Sequence, residues 1–424
     1  MADDARDQTS SCPVTGVAAA WNPLAASQLA DPYPLYVRAH AEAPVFYSPP
    51  FDLWIVTRYE DCWTALKDPA RFSSAVSTAV SGAVSAEVAA VLATGYPEVP
   101  TLVTNDPPSH SRYRGLINKA FTPSRIGQKE PRIREVANAL IDGFVTDGQA
   151  DLVRRFCYPL PMTIIAEILG VPAVDLDRFK QWSDDIVASL STGLPLERRI
   201  DCAESLVAFQ HYFAAQIAAR RAAPQDDLLT ALLQARIEGE APLAVPEMLN
   251  MLQQLLVAGN ETTTSLLGSM VKILLEDRAR WQGVCDDPTR IGAVVEEALR
   301  LESPVQGLFR TVTTDVALGG VTIPKGGHVQ LLYGAGNRDE TEFADAGRFD
   351  PRRRNVTSHL AFGGGPHFCI GAPLARLEGR LALETITRRL PSLRLAKDQS
   401  FERATHFFLR SYEHLWVEWE TGPA

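Results

Sequence analysis

The chain has 424 residues, of which 46% are hydrophobic and 22% are charged, and its formal net charge is −10 at pH 7. This composition is typical of an ordinary folded protein with a large core, and the acidic balance argues against a nucleic-acid-binding protein. Length alone favours two or three domains, but no Gly/Ser-rich or Pro-rich linker divides the chain.

The six cysteines are scattered along the chain, without a CxxC pair or a metal-type spacing. This pattern disfavours a disulfide framework and a zinc site, and it fits the reducing cytoplasm. The acidic N-terminus is followed by no apolar segment, so the sequence predicts neither a signal peptide nor a membrane anchor. We expect a cytoplasmic protein with no membrane association, in which residues 1–20 form a flexible tail and no linker divides residues 21–424.

The first elements are a helix that opens at residues 31–36, a strand at residues 54–57 and a helix at residues 59–66. Residues 72–104 carry few charges and no clean period, and we interpret them as a mobile lid with short helical pieces. Helical patterns dominate from Ser109 to Glu302. They are clearest in three segments, at residues 159–169, 175–190 and 200–221.

Strand patterns and tight turns follow between residues 311 and 333, with a hairpin-like corner at residues 324–327. A further helix is predicted at about residues 373–390, and residues 393–419 again have the pattern of strands. The sequence therefore predicts a mainly α fold with a smaller β-rich part.

The apolar segment at residues 248–271 carries one charge, Glu261, and is long enough to span a membrane. It also contains too many polar side chains for exposure to lipid. These side chains are Asn250, Gln253, Gln254, Asn260, Thr262, Thr263, Thr264 and Ser265. We therefore predict a helix that passes through the middle of the core.

That helix contains the sequence Ala258-Gly259-Asn260-Glu261-Thr262. Gly259 lowers helix stability, so a packing or functional reason for it is expected. The Thr262 hydroxyl can bond to a carbonyl one turn earlier, and the Glu261 carboxylate is costly in an apolar segment unless it is hydrogen-bonded. An acid beside a hydroxyl forms a short proton relay. The alternative is a polar face that contacts other helices.

Cys369 lies at the end of a glycine-rich turn, directly before the predicted helix at residues 373–390. The segment reads Phe362-Gly363-Gly364-Gly365-Pro366-His367-Phe368-Cys369-Ile370-Gly371. A thiolate there would meet the positive end of the helix dipole, which lowers the pKa of the thiol. The glycines let the backbone approach a flat, bulky partner. The alternative is a buried cysteine in a glycine-rich loop.

The Cys369 segment resembles the haem-binding loop of the cytochrome P450 family. The family pattern is Phe, two residues, Gly, a residue, His or Arg, a residue, Cys, a residue and Gly, and every fixed position is met. The resemblance extends over about residues 31–419. It implies the cytochrome P450 fold, a single haem-containing domain, and haem b with the Cys369 thiolate as the axial metal ligand.

The same resemblance implies roles for other residues. Thr262 and Glu261 are similar to the catalytic acid–alcohol pair, with Thr262 assigned to oxygen activation and Glu261 to the gating of protons. The pair also argues against the peroxide-driven branch of the family. Glu297 and Arg300 resemble the structural Glu-x-x-Arg signature, and Arg348 is the candidate for the third charge that joins them.

The cofactor-binding residues implied by the resemblance are Cys369, His110, Arg114, Arg310, His367, Phe362, Gly363, Ala258, Gly259 and Gly371. His110, Arg114, Arg310 and His367 are the candidates that would bind the two haem propionates. For each of these four alone, a solvated surface charge is the alternative. The candidate substrate-pocket residues are Phe309, Phe407, Phe408, Val305 and Leu255, and any of the phenylalanines could equally belong to the core.

The family implies a haem-thiolate monooxygenase that oxidises a hydrophobic small organic molecule with O₂. The chain contains no flavin or iron–sulfur segment, so we expect electrons from a ferredoxin and a ferredoxin reductase, and we expect a monomer. A basic docking face is predicted for the ferredoxin. Its candidates are Arg112, Lys119, Arg376, Arg380, Arg352, Arg353 and Arg354. The alternatives are a haem-thiolate enzyme that performs a non-hydroxylating oxidation, such as coupling or desaturation, and a non-catalytic haem sensor.

Overall fold

The computed structural model describes residues 16–78, 84–189, 193–406 and 408–421. Their α-helices are α1 (Gly16–Ala20), α2 (Ala26–Ala30), α3 (Tyr33–Glu42), α4 (Tyr59–Lys67), α5 (Ala86–Leu92), α6 (Ser109–Ala120), α7 (Pro123–Gly127), α8 (Glu130–Asp142), α9 (Pro159–Ile168), α10 (Leu176–Ser189), α11 (Leu196–Ala222), α12 (Leu228–Gln234), α13 (Val245–Leu275), α14 (Arg278–Asp286), α15 (Ile291–Leu301), α16 (Tyr333–Gly336) and α17 (Ala372–Arg389). The prediction of a mainly α protein with a smaller β-rich part is confirmed.

The strands are β1 (Val45–Ser48), β2 (Leu53–Val56), β3 (Phe72–Ser73), β4 (Gln149–Asp151), β5 (Leu308–Val312), β6 (Val316–Leu318), β7 (Val321–Ile323), β8 (His328–Leu331), β9 (Arg394–Leu395) and β10 (Trp416–Glu418). The main sheet has the order β1-β2-β8-β5-β3, with β2 and β8 parallel and the other pairs antiparallel. A three-stranded sheet has the order β4-β10-β9, and β6 pairs with β7.

Two local predictions are wrong. Residues 16–20 do not belong to a loose tail, because α1 buries Val17 against the main sheet and α3, while residues 1–15 lie outside the described residues. The turn at residues 324–327 exists, but it joins β7 to β8, which do not pair. The hairpin is formed instead by β6 and β7, because Gly319 and Gly320 supply the two positive φ angles of a tight turn.

Helix α13 passes through the core, as predicted, and packs against α9, α15 and α17. The side chain of Glu247 in its first turn accepts a hydrogen bond from the backbone N–H of Ala244 at 2.7 Å, which satisfies one free donor at the helix start. Gly259 permits the close approach of α9, because a Cβ there would lie 3.0 Å from the Ile165 side chain. Within the described ranges, no helix combines the length and apolarity needed to cross a bilayer.

A buried ion pair joins α15 to the segment that leads towards Cys369. The carboxylate of Glu297 accepts two hydrogen bonds from the Arg300 guanidinium, both at 2.8 Å, and both side chains are fully buried. Arg300 also donates to the carbonyl oxygens of Asn337 and Ala346 at 2.7 and 2.8 Å. These bonds fix the loop after α16 against α15.

The third charge of this cluster is Arg353, and the prediction of Arg348 is wrong. Arg353 Nε lies 3.1 Å from Glu297 Oε1, and its side chain is 8% exposed. The Arg348 side chain is 62% exposed and faces Asp345 and Asp350. A turn closed by the bond from Arg353 N–H to Asp350 O reverses the chain, so that residue 353 and not residue 348 reaches the core.

We expect Arg353→Ala to lower the free energy of unfolding by about 1–3 kcal/mol, because it leaves a buried carboxylate oxygen with fewer donors. The matched control is Arg348→Ala, which removes an exposed side chain and should change the same quantity by less than about 0.5 kcal/mol. Urea unfolding followed by far-ultraviolet circular dichroism measures both variants. Equal losses of unfolding free energy in the two variants would contradict the assignment of the third charge to Arg353 rather than Arg348.

Candidate active site

The loop before Cys369 is shaped by glycines at positions where a side chain does not fit. Gly365 has a φ of +62°, and a Cβ there would lie 2.2 Å from the carbonyl oxygen of Leu66 in α4. At Gly364, a Cβ would lie 2.5 Å from the Trp63 ring. The N–H of Cys369 donates to the carbonyl oxygen of Phe362 at 2.9 Å, which closes the loop. The loop therefore packs tightly on α4 and presents the sulfur at the start of α17.

The Cys369 sulfur receives hydrogen bonds from the backbone N–H groups of Gly371 and Ala372, as expected at the start of a helix. Burial nevertheless raises the pKa of the Cys369 thiol, against the opposing influence of these donors and of Arg114 and Arg376. The expectation of a lowered pKa is therefore wrong for the protein alone. A metal cation held by Cys369 would supply the additional positive charge that a thiolate needs here.

Four nitrogen-bearing side chains from three parts of the chain converge beside this loop. His110 and Arg114 lie on α6, Arg310 lies on β5, and His367 lies two residues before Cys369. The His110 and His367 rings are 4.1 Å apart between centroids. Burial and the neighbouring charges of His110, Arg310 and Arg114 lower the pKa of His367 to about 3.

Among the described residues, no carboxylate forms an ion pair with either guanidinium group of this cluster, although Arg310 donates to the Phe309 carbonyl oxygen at 2.6 Å and the charge of Asp106 acts on His110. The buried Nδ1 of His110 has no hydrogen-bond partner. Burial lowers the pKa of Arg114, which shows that its charge is poorly compensated. The donor set therefore fits an anionic group with several acceptor oxygens, such as the two propionates of haem.

The sequence gives no local signal for the residues that position His367. Its Nε2 lies 3.1 Å from the Ser74 hydroxyl, and the Ser74 N–H donates to Asp106 Oδ1 at 2.7 Å. Asp106 also accepts a hydrogen bond from the Ser73 hydroxyl at 2.5 Å. Because these contacts join residues far apart in the chain, only the fold reveals that Ser74 and Asp106 support the site.

The middle of α13 carries the predicted acid and alcohol. The Thr262 hydroxyl donates to the carbonyl oxygen of Ala258 at 2.6 Å. Ala258 is exposed and Thr262 is half-buried, although the helix runs through the core, so this face borders accessible space. A Cβ at Gly259 would face Ile165 and not that space, so the glycine serves the packing of α9, and the prediction that Gly259 contacts the cofactor stays a prediction. Ala258 lies on the accessible face.

Glu261 is connected to the surface through α9 and α10. Burial, followed by the charge of Asp184, raises the pKa of Glu261 to about 7. The Asn260 amide donates to Glu261 Oε1 at 3.3 Å and also bonds to the Tyr158 hydroxyl. That hydroxyl donates to Oδ1 of the exposed Asp184 at 2.7 Å. Neither Tyr158 nor Asp184 has a motif that singles it out in the sequence.

The candidate pocket residues fall into two groups. Phe309 and Phe408 are buried with their rings nearly perpendicular, 6.5 Å apart between centroids, and Val305 packs against the same cluster. Leu255 belongs to the main core cluster instead, and Val257 contacts both clusters. Phe407 lies outside the described residues.

Most of the basic residues predicted to bind a redox partner are engaged in contacts within the protein. Arg112 is 15% exposed and pairs with Glu247 at 2.9 Å, which joins α6 to α13. Arg376 pairs with Glu296 at 2.6 Å, and Arg380 pairs with Glu130 and Glu384. Lys119 donates to the Arg236 carbonyl oxygen. Arg112 is therefore removed from the proposed docking face, whereas Arg352 and Arg354 are exposed.

Comparison with known proteins shows the family to which this chain belongs. The family model described as Cytochrome P450 matches residues 291–410. The chain is 40% identical over 362 residues to erythromycin C-12 hydroxylase of Saccharopolyspora erythraea, covering 84% of this chain and 86% of that protein. It is 39% identical over 348 residues to cytochrome P450 107B1 of the same organism, covering 81% and 84% respectively.

A solved structure agrees with these relatives over almost the whole chain. Cytochrome P450 CYP109Q5 from Chondromyces apiculatus superposes with a TM-score of 0.85 at 37% identity, covering 95% of this chain and 98% of that one. The chain belongs to the cytochrome P450 family. It has the P450 fold as a single domain, and it is a P450 monooxygenase of the bacterial type. The family binds haem through a cysteine thiolate and uses O₂ and redox partners.

We expect Gly365→Ala to destabilise the protein by at least about 2 kcal/mol, because an L side chain is strained at this φ and its Cβ would overlap the Leu66 carbonyl oxygen. The matched control is Gly347→Ala, where a Cβ meets no atom within 4 Å. Thermal unfolding and the haem content of the purified variants measure the effect. A Gly365→Ala protein as stable as the control would show that the loop is not tightly constrained.

A further prediction concerns how Glu261 affects the pH dependence of the free energy of unfolding. Its pKa is raised on folding, so the folded state holds this proton more tightly, and the stability it contributes is lost as the pH rises from about 4.5 through about 7. We expect Glu261→Gln to gain about 2–3 kcal/mol over the wild type at pH 8 compared with pH 5. Urea unfolding at both pH values measures this difference. A pH-independent difference would mean that Glu261 is ionised without cost.

Proposed function

We propose that the protein is a haem b monooxygenase that oxidises a hydrophobic small organic molecule, with Cys369 as the axial ligand of the iron. The observation that carries the proposal is the cationic cluster beside the Cys369 loop, in which neither guanidinium group forms an ion pair within the described residues. Haem would fit this arrangement, because its propionates would pair with the guanidinium groups and its iron with the sulfur.

The residues of this chain would hold the cofactor from two directions. Cys369 would bind the iron, with Phe362, Gly363 and Gly371 lining the same loop. His110, Arg114, Arg310 and His367 would bind the propionates by charge-assisted hydrogen bonds, and Ser74 would orient His367. When bound, haem supplies the chemistry of O₂ activation and oxygen transfer, and the thiolate tunes its electron density.

The residues of α13 would supply protons to the reaction. The Thr262 hydroxyl lies on the accessible face and can leave the Ala258 carbonyl oxygen by rotation about χ1. Glu261 has a pKa of about 7, so it can accept and release a proton at neutral pH. Asp184 and Tyr158 would link Glu261 to solvent through the Asn260 amide. Water and protons would thus reach the site in a controlled way.

The substrate class rests on the apolar surroundings and on the relatives. Phe309, Phe408 and Val305 belong to an apolar cluster, although Phe309 points to the face of the sheet opposite to Arg310. Binding sites for small molecules are mostly lined by apolar side chains, which favours a hydrophobic substrate. One relative is named erythromycin C-12 hydroxylase, and another is named vitamin D(3) 25-hydroxylase. These names support an organic compound as the substrate, and they do not identify which compound it is.

Electrons would come from a ferredoxin and its reductase, since the sequence contains no cysteine-rich or flavin-binding segment. The exposed Arg352 and Arg354 remain candidates for the docking face, and the 42% exposed Phe368 lies next to Cys369 in the chain. We retain the proposals of a monomer and of a location in the cytoplasm.

The proposed function is tested with ¹⁸O₂ and a surrogate ferredoxin and reductase. A compound library is first screened for ligands that shift the haem spectrum, and each ligand is then incubated with the complete system. We expect NADPH consumption that depends on the ligand, and a product that contains one ¹⁸O atom. An oxidised product without ¹⁸O would indicate coupling or desaturation, and no turnover of any ligand would favour a sensor.

Thr262→Ala serves as the mechanistic variant in the same assay. Without the hydroxyl, we expect O₂ consumption to continue while at least about tenfold less of it appears as product, because a positioned proton donor is then replaced by water. The remainder should appear as hydrogen peroxide. The matched control is Thr263→Ala, whose side chain is buried in the core and should leave coupling unchanged. Normal coupling in Thr262→Ala would remove Thr262 from the mechanism.

A further inference from the structure

A small cavity lies between the N-terminal segment, the main sheet and the chain after residue 402. Its volume is about 30 Å³, and the lining residues include Trp21, Gln330, Arg403 and Arg410. One water molecule requires roughly 10–15 Å³, so the cavity accommodates about two water-sized groups.

The cavity is separate from the proposed haem site. Gln330 on β8 lies opposite Phe309 on β5, whereas Val329 lies opposite Arg310. Because successive side chains of a strand point to opposite faces, Gln330 and Arg310 face opposite sides of the sheet. The cavity is therefore on the face of the sheet that α1 and α3 cover.

Polar atoms without partners belong to three residues that line the cavity. They are Trp21 Nε1, both polar atoms of the Gln330 side chain, and Arg403 Nη1. All three side chains are more than nine-tenths buried, with Gln330 1% exposed and the Arg403 side chain 5% exposed. Buried polar groups are nearly always paired, so these atoms indicate a missing partner. Nitrogen donors predominate among them.

The charges around the cavity are unbalanced. Arg403, Arg410 and Arg338 all form ion pairs with Glu302, at 2.9, 2.9 and 3.4 Å. These four side chains are nearly buried and carry two positive charges in excess. Burial lowers the pKa of Arg403 and the charge of Arg410 acts in the same direction, whereas Tyr33 and Glu302 raise the pKa of Arg410, so the poorly compensated charge is that of Arg403. Water could satisfy the unpaired donors, but it would not offset this excess charge.

We propose that this cavity binds a small monovalent anion of halide or formate size, held by the side-chain N–H groups of Trp21, Gln330 and Arg403. The bound anion joins the N-terminal segment to the main sheet and to the segment that carries Arg403. Phosphate and sulfate are too large for the cavity.

The test uses bromide and the purified, haem-loaded full chain. Bromide replaces a bulky sulfonate at constant ionic strength while the thermal midpoint is recorded. A tenfold excess of bromide over its dissociation constant should raise the midpoint by about 1–2 °C, since it binds only the folded state. Gln330→Leu should lose most of this rise. Ser269→Ala removes another unpaired buried polar atom, outside the cavity, and should keep it.

Two further measurements settle the outcome. Trp21→Phe keeps the ring and removes the N–H, so it replaces Gln330→Leu if that variant does not fold. Crystals grown in bromide should show an anomalous peak beside Arg403. The proposal is overturned by a midpoint that does not respond to bromide, by an equal response in wild type and variants, or by a cavity that contains ordered water only.

Discussion

The structure depends on a loop that holds one sulfur atom beside a group of uncompensated positive charges. Gly365 permits the loop to pack against α4, and Cys369 is thereby placed at the start of α17. His110 and Arg310 reach the same place from a helix and a strand that are distant in the chain. Each group is costly to bury without a partner of opposite charge. A shared cofactor with negative charges and a central cation would offset both costs.

Two other charged networks keep this arrangement in place. The buried pair of Glu297 and Arg300 binds the loop after α16, and Arg353 completes it from the segment before the cysteine. On α13, the elevated pKa of Glu261 reflects its burial and its contact with groups that lead to the surface. The first network is suited to a structural role, since every N–H group of the Arg300 guanidinium is hydrogen-bonded. The second is suited to proton transfer, since its acid titrates near neutral pH.

Much of the site was predictable from the sequence, because its strongest signals are local. The Cys369 loop and the helix around Thr262 each lie within a short segment whose residue types follow from their chemistry. The errors arose where the path of the chain between motifs decides the outcome. Arg353 replaces Arg348 because a turn redirects the chain, and no local pattern reveals that turn.

Contacts between distant segments explain what the sequence could not show. Tyr158 and Asp184 join Glu261 only after α9, α10 and α13 have packed together. Arg112 has the charge expected of a docking residue, yet its side chain forms an ion pair with Glu247 within the protein. The pKa of Cys369 also depends on the whole fold. The backbone N–H donors at the helix start lower this pKa, but the burial of the sulfur raises it by more.

The most direct test of this account is a crystal structure of the haem-loaded protein. It should show the Cys369 sulfur bonded to iron, and both propionates within hydrogen-bond distance of Arg114, Arg310 and at least one of His110 and His367. Iron bound by a histidine nitrogen, or propionates that face away from this cluster, would contradict the central claim.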